Sequence, residues 1–257
     1  MPNKSLGQHW LKDSSILEHI VDAADVTRDD IVLEIGPGLG TLTSVLLSRS
    51  QEVIAIEFDH DLARKLPAQF PNKNLIVYHR DILSFDLSTV PSGYKVVANV
   101  PYYITSKIIQ MLMTANNTPT CAVLLVQKEV AERLAAAKGD MSILSISAQL
   151  LADVSLGEIV PAKYFTPPPK VDSQVVILKT RQKPLIPEHE QKAFFRIVKA
   201  GFSAKRKKLR SSLSGGLALS KDEIETILIQ ANIDPHFRAQ DLSIDNWRAI
   251  MKAYVAR

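Results

Sequence analysis

Five short apolar runs, alternating with helical patterns, constrain this chain more than any other feature. They are Ile31-Val-Leu-Glu-Ile35, Glu52-Val-Ile-Ala-Ile56, Leu75-Ile-Val-Tyr78, Lys95-Val-Val-Ala98 and Cys121-Ala-Val-Leu-Leu-Val126. Runs this short and this apolar suit strands buried on both faces, and their alternation with helices predicts a parallel sheet wound on both sides. Two further strands are expected from Ser155 to Val160 and from Gln174 to Thr180. The prolines between them leave no room for a helix, so these two should form an antiparallel edge pair. Sheets of this kind bind ligands outside the carboxyl ends of their strands. The residues that close each run therefore carry the functional reading.

The first run leads into Gly36-Pro-Gly-Leu-Gly40 and a helix from Thr41 to Arg49. Glycines here allow a tight turn and let a ligand approach bare backbone, notably at Gly36 and Gly38. The spacing is Gly-x-Gly-x-Gly, not the Gly-x-Gly-x-x-Gly of dinucleotide folds, so a pyrophosphate cradle is the weaker reading. The second run ends at Glu57, whose carboxylate could accept both hydroxyls of a ribose. The third ends in Arg80-Asp81-Ile82, where Asp81 could accept from an adenine amine and Ile82 could present backbone to the ring edge. Alone, either acid is as readily a solvated strand end or a helix cap. The fourth run closes with Asn99-Val100-Pro101-Tyr102, a pattern suited to one planar amine. An exocyclic adenine amine is a poor nucleophile because its lone pair is spread into the ring. A carboxamide oxygen beside a backbone carbonyl can accept both its hydrogens, while Pro101 turns the chain and Tyr102 offers a stacking face.

Together, Glu34 to Gly40, Glu57, Asp81 and Asn99 to Tyr102 resemble the motifs of class I S-adenosylmethionine-dependent methyltransferases that modify amino groups. More narrowly, Gly7-Gln8-His9-Trp10-Leu11, Phe165-Thr-Pro-Pro-Pro-Lys-Val-Asp-Ser173 and Phe202-Ser-Ala-Lys-Arg-Lys-Lys-Leu209 resemble the ribosomal RNA adenine N6,N6-dimethyltransferases, from about Lys4 to the end of the chain. The proline-rich segment and the basic tail point to the small-subunit branch. The resemblance implies a Rossmann-like, mostly parallel, doubly wound sheet with a small all-helical C-terminal domain. It also implies S-adenosylmethionine as cofactor, held with the help of His9, Leu11 and Asn99 besides the strand-end residues. Its substrate would be two adjacent adenosines in the terminal hairpin of small-subunit RNA, within an immature small subunit. The chain departs from the family at His9 and Trp10, where members usually carry Asn and Phe.

Charge locates the RNA-binding part. From Arg181 onward there are 15 Lys+Arg against 8 Asp+Glu, a balance of +7, which leaves −3 for residues 1–180 out of a net +4. The focus is Lys205, Arg206, Lys207 and Lys208 with Arg210, expected on one long helix from Glu188 to about Leu213 that Gly215-Gly216 would stop. Lys183-Pro184 and Ile186-Pro187 set the expected boundary between a catalytic domain of residues 1–182 and an RNA-binding domain of residues 183–257. In the second domain, Ser220-Lys-Asp-Glu223 reads as a capping box and Ser243 as the cap of a last helix carrying Trp247. One cysteine, Cys121, argues for a buried strand residue and against a disulfide framework. The six histidines lack ligand spacing, so no metal is expected. No apolar stretch approaches a membrane span of about 18 residues, and a monomeric, cytoplasmic protein is the expectation.

The expected reaction is direct in-line transfer from a sulfonium to adenine N6. Asn99 and the Val100 carbonyl would orient the amine, and Tyr102 would lie on one ring face. Phe165 is the candidate for stacking on the other face, against the alternative that it anchors its loop on the core. Three other readings compete. They are a nicotinamide oxidoreductase, a non-catalytic ribosome-assembly or transcription factor, and a large-subunit RNA adenine methyltransferase conferring resistance.

Overall fold

The structure, a computed structural model, describes residues 8–257. Gly7, part of the N-terminal motif, lies outside the described residues. The chain forms two compact units. The first comprises the described residues up to Glu132 together with Ala152–Thr180, and the second comprises Arg133–Leu151 and Arg181–Arg257.

The strands are β1 (Trp10–Leu11), β2 (Ile31–Ile35), β3 (Glu52–Glu57), β4 (Leu75–His79), β5 (Lys95–Asn99), β6 (Cys121–Gln127), β7 (Ala152–Val160), β8 (Phe165–Thr166) and β9 (Ser173–Thr180). The five apolar runs become β2 to β6. Seven strands form one sheet in the order β4-β3-β2-β5-β6-β9-β7. The first five are parallel, whereas β9 runs antiparallel to both β6 and β7. The expected antiparallel pair thus closes one edge, with β7 outermost. Cys121 is buried at the start of β6, as a small apolar strand residue should be. Between β2 and β5 the register runs only from Val32/Lys95 to Leu33/Val96. The two strands part beyond that point, and chain order reverses there, which opens a crevice at their carboxyl ends.

The helices of this unit are α1 (Ser14–Asp22), α2 (Thr41–Arg49), α3 (His60–Gln69) and α4 (Thr105–Thr114). Asp13 caps α1 by accepting from the Ser15 and Ile16 amides. Leu17, Ile20 and Val21 of α1 and Leu42 and Leu46 of α2 bury against Val32, Val53 and Val123 of the sheet. Gly40 starts α2 with φ +82°, and a Cβ there would stand 2.8 Å from Leu66 Cδ1 on α3. Both the left-handed backbone and the close helix demand glycine.

The next helices are α5 (Lys128–Leu134), α6 (Ile143–Leu151), α7 (Glu188–Phe202), α8 (Leu209–Leu217), α9 (Lys221–Gln230) and α10 (Ile244–Val255). The second unit starts earlier than the proline-marked boundary predicts, because α6 is apolar enough to join its core. Ile146 and Leu150 of α6 cluster with Ile186, Phe194, Ile197, Leu213 and Trp247. The capping box at Ser220/Glu223 forms as expected, and Ser243 caps α10, with Asn246 completing a second capping box.

The basic segment differs from the expectation of one long helix. Helix α7 ends at Phe202, residues 203–207 form turns and a bend, Lys208 is extended, and α8 begins at Leu209. On one helix Lys205/Lys208 and Arg206/Arg210 would face each other as like charges, and Ser203 competes for backbone by donating its hydroxyl to the Ala200 carbonyl at 2.7 Å. Nor do Gly215 and Gly216 stop a helix; both lie within α8. A Cβ on Gly216 would come within 2.6 Å of Ala200 Cα, so this glycine lets α8 pack closely on α7.

Candidate active site

The carboxyl ends of four parallel strands converge on one cavity of about 340 Å³ in the first unit. Its walls include Gly36 and Gly38 after β2, Glu57 at the end of β3, Asp81 and Ile82 after β4, and Asn99 to Tyr102 after β5. His9, just before β1, and Leu11 in it complete the cavity; β1 pairs antiparallel with β8 through Trp10/Thr166 and Leu11/Phe165. The structure brings together every candidate pocket residue except Phe165.

Each group is held by its neighbours. Glu57 is 5% exposed, and its two oxygens accept the Gly38 amide at 3.0 Å and the Asp59 amide at 2.8 Å. Burial pushes its pKa up, while those two amides oppose the shift. Asp81 accepts the Leu83 amide at 3.0 Å, capping the short turn that carries Ile82. A carboxylate has acceptor capacity beyond one such bond, so capping and ligand binding are compatible here. Leu11 buries its side chain, and its carbonyl accepts the Thr41 hydroxyl at 2.8 Å. A Cβ added to Gly38 would touch the Trp10 indole at 3.4 Å, whereas one on Gly36 would meet nothing within 4 Å. The glycine turn is therefore covered by Trp10 at Gly38 and open at Gly36.

At the end of β5, the Asn99 amide nitrogen donates to the His9 carbonyl at 3.0 Å. The Tyr102 hydroxyl pairs with the Ser173 hydroxyl at 2.7 Å, and burial raises the phenol's pKa, so it stays protonated at neutral pH. Phe165 requires a correction. Its ring is 2% exposed and packs with Leu11, Leu17, Val160 and Val175, so it anchors the loop and does not line the cavity. Burying a phenylalanine is worth about 1.5 to 3 kcal/mol, which an exposed stacking ring would forgo. The aromatic side chain exposed on the cavity wall beside Tyr102 is Tyr103, at 64%.

Glu34, which opens the glycine motif, lines the cavity too; the sequence assigned it no role, because one acid inside an apolar run reads as an ordinary strand residue. It is 1% exposed and accepts the Thr43 hydroxyl at 2.6 Å. Burial pushes its pKa up to about 8, Thr43 opposes the rise, and Glu57 adds to it. An acid with a higher pKa folded than unfolded holds more protons in the native chain. Its stabilising contribution is complete below the ordinary value of 4.5 and is lost as pH rises through about 8. Glu34→Gln should therefore flatten the loss of stability between about pH 5 and about pH 9 by about 3 to 5 kcal/mol, at 1.36 kcal/mol per unit. Thermal denaturation across that range measures this, and an unchanged slope would contradict it.

The basic candidates lie in the second unit. Lys205, Arg206 and Lys207 are exposed in the turns between α7 and α8. Lys208 precedes α8 and places Nζ 2.9 Å from His236 Nδ1. Arg210 is already engaged, pairing with Asp222 at 2.8 Å and Glu225 at 2.9 Å and donating to the Lys221 carbonyl at 3.1 Å. It is a weaker candidate for phosphate than its neighbours.

Comparison with known proteins places the chain in a family. The sequence model of ribosomal RNA adenine dimethylase matches residues 2–255. The chain belongs to the ribosomal RNA adenine dimethylase family. Relatives named ribosomal RNA small subunit methyltransferase A share 40% identity in Dehalococcoides mccartyi strain CBDB1, over 98% of this chain and 88% of that protein, and 42% in Nostoc, over 96% and 95%. A dimethyladenosine transferase from Plasmodium falciparum is 29% identical and superposes with a TM-score of 0.82, over 96% of this chain and 98% of the other. The 23S rRNA methyltransferase ErmE is 26% identical, with a TM-score of 0.79, over 95% and 98%. The fold of this dimethylase family member is thus that of the class I methyltransferases, Rossmann-like with a helical C-terminal region. Its cofactor is S-adenosylmethionine, and the cavity is suited to one. Glu57 and Asp81 present carboxylates to the cavity, and the turn at Gly36 is open to a close approach. Among the described residues no cluster of metal-ligating side chains occurs, and no helix is long and apolar enough to cross a membrane.

Proposed function

We propose that this protein dimethylates the N6 amines of two adjacent adenosines in the 3'-terminal hairpin of small-subunit ribosomal RNA, acting on the immature subunit. The observation that carries this reading is the convergence of Glu57, Asp81 and Asn99 to Tyr102 on one cavity at the carboxyl ends of the sheet. The names of the relatives at about 40% identity favour the small subunit as the source of the RNA. S-adenosylmethionine, when bound, supplies a methyl group already activated by its sulfonium. Glu57 would hold its ribose hydroxyls, and Asp81 with the backbone at Ile82 would hold its adenine. The target base leaves its stack and enters against Tyr102. The Asn99 oxygen and the Val100 carbonyl accept from its amine, drawing the lone pair out of conjugation. No general base is needed before transfer, since the ammonium formed is acidic enough to lose its proton to water. Lys205, Arg206, Lys207 and Lys208 neutralise phosphates of the RNA.

Removing the Glu57 carboxylate should weaken S-adenosylmethionine by about 1.5 to 3 kcal/mol, the cost of losing hydrogen bonds to a charged group. The same carboxylate holds the Gly38 amide, so Glu57→Gln, which keeps one acceptor for that amide, should lose less than Glu57→Ala. Titration calorimetry with equal affinities for wild type and Glu57→Ala would reduce Glu57 to a support of the turn. The function itself is tested by incubating the protein with labelled S-adenosylmethionine and undermodified small subunits, beside large-subunit RNA. Label entering only the small-subunit RNA is expected. Label entering the large-subunit RNA instead would transfer the protein to the resistance branch.

A further inference from the structure

We propose that His9 is a positioning residue for the amine-accepting site, fixing the Asn99 carboxamide through its main chain and backing the Tyr102 ring through its imidazole. The inference rests on the reading of Asn99 to Tyr102 as the methyl-acceptor site and adds a residue that acts on both Asn99 and Tyr102.

The main-chain part follows from the chemistry of the bond. The His9 carbonyl can only accept, so the group of Asn99 facing it at 3.0 Å must be the NH2. The carboxamide oxygen is then turned away from His9 and is left to accept from an amine. An amide free to flip would present a donor to that amine half of the time. The strand pair β1 and β8 holds this carbonyl in place, since Trp10 and Leu11, the next two residues, are paired with Thr166 and Phe165.

The imidazole makes two more contacts. Its Nδ1 lies 2.8 Å from the Pro167 carbonyl. That carbonyl also can only accept, so Nδ1 carries the proton. The ring then lies against Tyr102 with centroids 5.7 Å apart and planes inclined by 20°, an offset stack. Tyr102 is thereby fixed at two points, by His9 on one face and at its hydroxyl by Ser173, which is fully buried. A base stacking on Tyr102 uses the face that His9 leaves open. The path from Pro167 through the imidazole to Tyr102, and from the His9 carbonyl to Asn99, ties both acceptor-site side chains to one residue of β8's continuation.

The test compares wild type, His9→Ala and His9→Phe in steady-state methyl transfer to undermodified small subunits, with S-adenosylmethionine affinity measured by calorimetry. Small displacements of positioned groups lower turnover steeply, so His9→Ala should lose roughly 10- to 100-fold in kcat. Its KM for the subunit should stay within about 3-fold of wild type, as displacement of a positioned group acts on the transition state, and kcat is compared at saturating S-adenosylmethionine because His9 also lines the cofactor cavity. His9→Phe keeps a stacking ring without the Pro167 bond, and it should recover part of the kcat lost in His9→Ala. An alanine variant with wild-type kcat would overturn the inference alone. So would one that binds the subunit more tightly or turns over faster, since that would make the imidazole a placeholder for the base. Absence of transfer by wild type would overturn the proposed function, and this inference with it.

Discussion

Asn99→Ala should lower methyl transfer by about 10- to 1000-fold, the range for losing one positioned polar contact in a transition state. The alanine leaves the backbone at the end of β5 unchanged but removes the acceptor that draws the amine's lone pair out of the ring. Asn99→Asp should be no better. It would set a carboxylate oxygen against the His9 carbonyl oxygen, where the amide nitrogen now donates at 3.0 Å. Cofactor affinity should fall much less than turnover in both, because Glu57 and Asp81 are untouched. Single-turnover transfer within a few-fold of wild type in the alanine variant would contradict the assignment of Asn99.

The second large effect is expected in RNA binding. Replacing Lys205, Arg206 and Lys208 together with Ala should flatten the dependence of log affinity on log salt by about 0.7 to 0.9 per lost phosphate contact. Lys205 and Arg206 are exposed in the turns after α7 and Lys208 just precedes α8. Arg210 is left in place because its pairs with Asp222 and Glu225 tie α8 to α9. Cofactor affinity should not change, and raising the substrate concentration should restore part of the transfer rate. Binding measured across a salt series decides this. Coincident lines for wild type and the triple variant would make the run a solvated surface only.

The sheet was legible in the sequence because burial on both faces demands continuous apolar runs, and β2 to β6 match those runs to within a residue at their ends. The strand-end acids and Asn99 were legible for the complementary reason. Polar residues that close such runs stand where the sheet opens toward ligands, and the structure gathers Glu57, Asp81 and Asn99 on one cavity. What escaped depended on contacts distant in sequence. Phe165 sits in a loop by pattern, yet its pairing opposite Leu11 turns the ring into the core. Gly216 reads as a helix stop, but the approach of Ala200 on another helix makes it a packing residue. The apolar α6 could have belonged to either unit by composition, and its partners on α7 and α8 decide the matter. Glu34 is visible as part of the glycine motif, but its burial and raised pKa are not, because a buried acid and a strand residue look alike until Thr43 and Glu57 are seen beside it.

The account is tested most directly by the chemical identity and position of the product. Undermodified small subunits incubated with the protein and S-adenosylmethionine should be digested, and the RNA fragments and nucleosides analysed by mass spectrometry. The account predicts N6,N6-dimethyladenosine at two adjacent positions in the 3'-terminal hairpin, absent from a parallel reaction with Asn99→Ala. Methylation confined to another nucleotide, or to an atom other than adenine N6, would contradict it.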